Sequence, residues 1–234
     1  MLDLHSKLQR GSDILAGPLA RSSARTEWLD GRQAALRWPS YAGRVRSVVN
    51  ITELGRPGFL ANLDSQLAIY GAAMDAGPAD LPSRRVIMER HAGNPGLRAL
   101  AAFDEQSEQP VAFAYAFRGC AGQWWHDVVW SAVAATSGLD AAHYWLDETL
   151  EIAEVHVLPD FQARGIGRRL VLGLTADRGE RTALLSTRDM LSPARKLYRS
   201  LGFADLLTDF AFPGGGPPYA VLGASLPLAA GTVR

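Results

Sequence analysis

The apolar and polar positions of this chain change period several times, and each change marks an element. Over Gly43–Glu53, Val45, Ser47, Val49 and Ile51 alternate with Arg44, Arg46, Val48 and Asn50, which predicts a first strand. Pro57 suits a helix start, and Leu60, Leu63, Leu67, Tyr70 and Met74 then recur at three- and four-residue spacing along one face. Gly77-Pro78 ends that helix. A second is expected over Pro82–His91, before the turn Asn94-Pro95-Gly96. Two apolar runs, Leu97–Phe103 and Val111–Phe117, flank a six-residue polar link and read as a largely buried hairpin. In Glu151–Leu158, Ala153, Val155 and Val157 alternate with Glu154 and His156 until Pro159 stops the strand. A polar turn, Asp160–Ala163, follows, then Arg164-Gly165-Ile166-Gly167. Leu170, Val171, Leu172 and Leu174 continue at helical spacing to Thr175.

The remaining pattern gives a strand at Ala183–Thr187, parallel to the one at 151–158 through the intervening helix. It gives a short helix within Ser192–Gly202 and a last hairpin, Leu206–Phe212 with Ala220–Leu226. Between the first hairpin and the strand at 151–158 lies an aromatic-rich insert, 119–147, which holds four of the six tryptophans. One helix, His126–Ala135, is expected there. Its aromatics serve either as a satellite core or as the wall of an acceptor pocket. A metal site from His126, Asp127 and His143 does not fit helical ligand spacing. Residues 1–42 lack a sustained period and read as a peripheral extension or interface arm, and 229–234 as a frayed tail.

Composition narrows the classes. In 234 residues, Lys+Arg and Asp+Glu both number 24, so no net field favours nucleic acid or a membrane surface. No apolar run is long enough to span a bilayer, and a secretory leader pattern is absent. The single cysteine, Cys120, precludes an internal disulfide and fits a reducing cytoplasm as a free buried thiol.

The candidate chemistry begins at the strand–turn–helix centred on Gly165. The first N–H groups of a helix have no intrahelical partner, and the helix dipole adds about half a positive charge there. Glycine lets an anion approach the backbone, and Arg164, Arg168 and Arg169 add fixed charge. Together they make a phosphate or pyrophosphate cradle. The dinucleotide fingerprint fails because its third glycine position is Leu170, and no G-x-x-x-x-G-K-S/T loop is present.

The turn resembles the acetyl-CoA loop of the GCN5-related N-acetyltransferase (GNAT) superfamily, Gln/Arg-x-x-Gly-x-Gly/Ala, through Gln162, Gly165 and Gly167. The strand end Val155, Val157, Pro159 is similar to the family's as well. Downstream, Ala194-Arg195-Lys196-Leu197-Tyr198 and Gly202-Phe203 resemble the second motif, A-x-x-L-Y-x-x-x-G-F. Leu191 stands where many members carry asparagine. The resemblance covers about residues 43–228. It implies an α/β (mixed α+β) GNAT fold, whose mostly antiparallel central sheet is flanked by helices and splayed beside the central strand.

It also implies acetyl-CoA as co-substrate, held by Val155, Val157, Gln162, Ala163, Arg164, Gly165, Ile166, Gly167 and Arg168, with no metal. The implied reaction is direct attack of an amine, on a small molecule or a peptide, upon the thioester; a homodimer is compatible with it. Glu151 matches the base position of histone-type members and ranks first as base, ahead of Glu154 and His156. Strand parity sets Glu151 on the face opposite the other two unless a β-bulge intervenes. Tyr198 is implied as the donor to the leaving thiolate. A GNAT fold that binds CoA only as a sensor or scaffold is the alternative.

Overall fold

The computed structural model describes residues 48–228. The expected extension at 1–42, the start of the first strand at 43–47 and the tail at 229–234 lie outside the described residues. Seven strands form one sheet in the order β1-β2-β3-β4-β5-β7-β6. They are β1 Val49–Leu54, β2 Arg98–Asp104, β3 Pro110–Gly119, β4 Thr149–Val157, β5 Thr182–Arg188, β6 Ala204–Phe210 and β7 Tyr219–Ser225. Every pairing is antiparallel except β4 with β5, so the expected mixed, mostly antiparallel sheet is the observed one.

The helix expected from Pro57 to Met74 is two helices, α1 Arg56–Ala61 and α2 Leu63–Met74. Asn62 breaks it. Its side-chain amide donates to Gly58 O at 2.7 Å, a local bond that competes with helix propagation. The break turns Leu60 outward and leaves Leu63, Leu67 and Tyr70 buried. Helix α3, Leu81–His91, follows within one residue of expectation. The insert differs more: it holds two helices, α4 Trp124–Ser137 and α5 Leu139–Leu146. Gly138, at φ +90°, joins them in a backbone conformation that favours glycine. Trp125, Val129 and Val133 recur at four-residue spacing and face inward, where they meet Leu184, Leu207 and Val221 from the sheet. The insert is therefore a second, smaller core over the β5-β7-β6 half.

On the same side of the sheet, α1–α3 cover β3 and β4: Phe59 packs edge-on to Tyr115 at 5.0 Å, and Tyr70 meets His156 at 5.1 Å. The opposite side is covered by α6, Ile166–Thr175, and α7, Pro193–Ser200. Leu170, Val171 and Leu174 of α6 are fully buried. Helix α7 starts as its residues dictate: Ser192 Oγ accepts from the Arg195 N–H at 3.1 Å, Pro193 occupies the first turn, and Gly202 at φ +90° follows the end. Cys120 is half-buried rather than fully buried. Among the described residues no helix is long and apolar enough to cross a membrane.

Two irregularities in β4 shape the site. Its parallel pairing with β5 lasts three residues, from Thr149↔Thr182 to Glu151↔Leu184, and then the strands diverge. Its register with β3 shifts between Tyr115↔Glu154 and Ala116↔Ile152, so Ala153 is a bulge.

Candidate active site

Paired residues in a sheet share a face, so the bulge decides where the acidic side chains point. Glu151, Glu154 and His156 pair with Phe117, Tyr115 and Phe113, which lie on one face of β3. All three titratable groups therefore share the face covered by α1–α5. Of the two arrangements the sequence left open, the bulged one holds: the extra residue, Ala153, sets Glu151 on the same face as the others.

Sharing a face does not put them in one place. A cavity of about 520 Å³ occupies the opening between β4 and β5. Glu154, His156 and Tyr198 line it, together with Val155, Val157 and Gln162. Glu151 does not: it sits one residue below the point of divergence, 4% exposed, and its Oε2 has no hydrogen-bond partner among the described residues. Burial raises its carboxyl from the ordinary value near 4.5 to about 8. The folded chain thus holds a proton that the unfolded chain releases between those two values. Stability from this group is complete below pH 4.5 and is lost as pH rises towards 8, at up to about 1.4 kcal/mol per pH unit. Glu151→Gln is neutral throughout. Chemical denaturation of the two proteins at pH 5 and pH 8 should show the mutant gaining on the wild type at the higher pH; a constant difference would mean that the carboxyl is solvated.

Glu154 is clamped from both sides. Arg84 of α3 donates to its Oε1 at 2.7 Å, and His156 Nε2 bonds its Oε2. Arg84 Nη2 also donates to the Tyr70 hydroxyl at 3.0 Å, and its guanidinium lies 4.6 Å from that ring centroid. A carboxylate paired with a guanidinium accepts hydrogen bonds and donates none, so the His156 Nε2 must carry the proton in this contact. Nδ1 is then the imidazole's lone-pair nitrogen, and it has no hydrogen-bond partner among the described residues. The rings of Tyr70 and Phe113, at 5.1 and 5.4 Å, hold the imidazole in place. Arg84 escaped the sequence reading, although Ile87 and Met88 three and four residues on are buried, a spacing that turns Arg84 inward.

Tyr198 reaches the cavity from the other side, packed edge-on to Phe203 at 5.9 Å. Burial first, and the nearby Glu154 carboxylate second, raise its pKa, so it stays an O–H donor across the working range.

The turn expected to cradle an anion lies at the start of α6. Leu158 N–H bonds Val111 O on β3 at 2.9 Å, and successive residues of a strand direct their backbone groups to alternate edges. Val157 and Val155 therefore turn theirs toward the opening. Gln162 Nε2 reaches back to Val157 O at 3.1 Å and ties the turn to the strand. Gly165 has φ +77°, with nothing within 4 Å of where a Cβ would stand, and Ala163 is also left-handed at φ +57°. The Arg169 N–H is the first to bond back, to Gly165 O at 3.1 Å, so the amides of Ile166, Gly167 and Arg168 emerge from the helix end. Arg164 lies over the buried Phe161, and Arg168 bonds Ser200 Oγ at 3.1 Å. Arg169 departs from expectation: its guanidinium turns away to Val49 O. Phe161 is buried in a 3₁₀ turn, Pro159–Phe161, so the expected polar turn has an apolar anchor. His126 bonds Asp127 and Leu146 O, whereas His143 bonds Asp147.

The sheet thus opens between its two parallel strands, with the start of α6 at one lip and the buried Tyr198 at the other. Residues 105–205 match the family model described as an acetyltransferase (GNAT) domain. The chain is 37% identical over 136 residues to a GCN5-like protein acetyltransferase from Mycobacterium tuberculosis, an alignment covering 56% of this chain and 66% of that protein, just under two thirds. Its fold is similar to that of the ribosomal-protein-S18-alanine N-acetyltransferase of Escherichia coli, with TM-score 0.51, 17% identity and 80% and 99% of the two chains covered. It is also similar to that of the PaiA N-acetyltransferase of Thermoplasma acidophilum, solved in complex with coenzyme A, with TM-score 0.50, 12% identity and 76% and 97% covered. The family model, the relative and the fold all agree with the resemblance to the GNAT acetyltransferases read from the sequence.

Proposed function

We propose that this chain transfers an acetyl group from acetyl-CoA directly to an amine, and that the opening between β4 and β5 is where it does so. The observation that carries the reading is the convergence on one cavity of the open edge at Val155 and Val157 with the proton-handling groups His156 and Tyr198. Gln162 lines the same cavity, at the start of the turn that leads to the amide cluster at Ile166–Arg168.

The residues present fit acetyl-CoA. The amides of Ile166, Gly167 and Arg168, with Arg164 and Arg168 beside them, suit a pyrophosphate, and the uncovered backbone of Gly165 lets it come close. The edge at Val155 and Val157 suits the pantetheine amides as an added strand. Bound there, acetyl-CoA supplies an activated acyl carbon. A backbone N–H of β4 can stabilise the oxygen on which negative charge develops. An alkylammonium must lose a proton before its nitrogen can attack. His156 Nδ1 is placed to accept it, with Glu154 holding the tautomer and offsetting the charge of the imidazolium. The C–N bond forms and the C–S bond breaks; the second proton that the nitrogen sheds on becoming an amide ends on the departing thiolate, to which Tyr198 donates a hydrogen bond.

This assignment moves the base from Glu151, first in the sequence ranking, to the Glu154–His156 pair. A base must lie within hydrogen-bond reach of the proton it takes, and Glu151 lies beneath the cavity floor. The cofactor half is tested by Gly165→Asp, which sets a carboxylate in the cradle and forces a side chain onto a left-handed backbone. Calorimetric titration with acetyl-CoA should show affinity weakened by roughly tenfold or more, about 1.4 kcal/mol. Unchanged affinity in a folded mutant would remove the loop from the account.

A further inference from the structure

Resting on the transferase reading, we infer that the acceptor is a small monoamine borne on an aromatic body, an arylalkylamine, rather than a polycation or a protein lysine. The cavity divides along its length. The portion next to Tyr198, Val155 and Gln162 belongs to the acyl donor. The portion beyond His156 is bounded by Tyr70 and Met74 of α2 on one side and by Trp125, Phe212 and Tyr219 on the other.

That far wall is built in advance. The Trp125 indole N–H donates to Ser186 Oγ at 3.2 Å, which fixes the ring plane. Phe212 is held edge-on to Phe210 at 4.8 Å and to Tyr219 at 5.5 Å, and tilted against Trp124 at 5.8 Å. Rings locked by their neighbours lose little entropy when a ligand ring stacks or abuts them, and such pairs add to the binding that their buried area gives.

The charge of the lining points the same way. Among the described residues, its formally charged side chains are Asp80, Glu154, Arg84 and Arg188, two of each sign. Glu154 is already matched by Arg84, and Asp80 accepts the Gly77 N–H at 3.2 Å. A site for a polyamine or an aminoglycoside needs an excess of carboxylates to offset several ammonium groups, and the described residues of this lining carry no such excess. One amine has a place beside His156, and a flat apolar body has a place against Trp125 and Phe212. Met190, largely exposed at the rim, extends the apolar surface outward.

The test measures binding apart from turnover. Protein saturated with CoA is titrated calorimetrically with 2-phenylethylamine, spermidine and a short lysine peptide, and thiol release from acetyl-CoA is followed with the same three amines. Phenylethylamine should bind roughly tenfold more tightly than either of the others. Trp125→Leu should erase that margin without changing CoA affinity. Met190→Glu, a substitution at an exposed position that leaves the fold alone, should narrow the margin by strengthening spermidine. Equal or tighter binding of spermidine or the peptide, or a margin that survives Trp125→Leu in folded protein, overturns the inference. Should phenylethylamine bind as expected with no thiol released, the transferase reading falls and the aromatic pocket stands. Thiol release with spermidine or the peptide in preference to phenylethylamine leaves the transferase reading intact and sinks the arylalkylamine.

Discussion

His156→Gln lowers turnover at neutral pH by roughly a hundredfold or more, the usual scale for a lost general base. The rising limb of the pH–rate profile disappears with it, because the general base is gone. Glutamine keeps a polar side chain beside Glu154 and Arg84, so the ion pair that ties α3 to β4 survives, and acetyl-CoA affinity stays near wild type. Glu154→Gln acts through the imidazole: it weakens the grip on the Nε2 proton and costs less rate than His156→Gln. Glu151→Gln retains both limb and rate, since its carboxyl lies below the cavity. The opposite pattern, with Glu151→Gln abolishing a limb centred near pH 8 and His156→Gln close to wild type, returns the base to Glu151 and implies that the cavity floor opens when the amine binds.

Tyr198→Phe is expected to have the next largest effect, a fall in kcat of roughly a hundredfold. The ring stays packed against Phe203, so folding and acetyl-CoA affinity hold while the donor to the sulfur is lost. An interaction made mainly in the transition state lowers kcat and kcat/KM together and leaves ground-state binding alone. The raised pKa of the phenol fits a steady hydrogen-bond donor better than an acid that gives up its proton outright. Comparing alkyl thioesters with ones of better leaving-group thiols would separate the two: the mutant's defect should shrink as the thiolate becomes more stable. A wild-type rate in Tyr198→Phe with chemistry limiting would make this residue a packing tyrosine.

The elements were legible wherever one physical cause dominated. Ser192, Pro193 and Gly202 bounded α7 because capping is a local affair of one hydroxyl, one ring and one left-handed residue. Gly165 and Gln162 announced the start of α6 for the same reason. What escaped depends on register and distant contact. The bulge at Ala153 arises from how β3 and β4 align; the sequence admitted it without placing it, yet it brings Glu151 onto the face of Glu154 and His156. Asn62 split a helix whose apolar spacing reads as continuous. Arg84 lies 70 residues from Glu154 in sequence, so their pairing follows only once α3 is seated on β4. The insert was recognised by its tryptophans, but its second helix was missed. Of its aromatics, Trp124, Trp130 and Trp145 pack against the satellite core, and Trp125 joins that core while lining the cavity.

The central claim is that the opening between β4 and β5 carries an acetyl group from CoA directly to an amine. The most direct measurement incubates the protein with acetyl-CoA labelled in its acetyl group and an amine, then follows the label by mass spectrometry in the small-molecule pool and on the intact protein. The account predicts labelled N-acetyl amine at a rate matching thiol release, no labelled protein intermediate, and strong loss of product with Gly165→Asp. Label that stays in acetyl-CoA while the wild type binds it tightly, or that appears as a covalent acetyl-protein ahead of the amide, would contradict it.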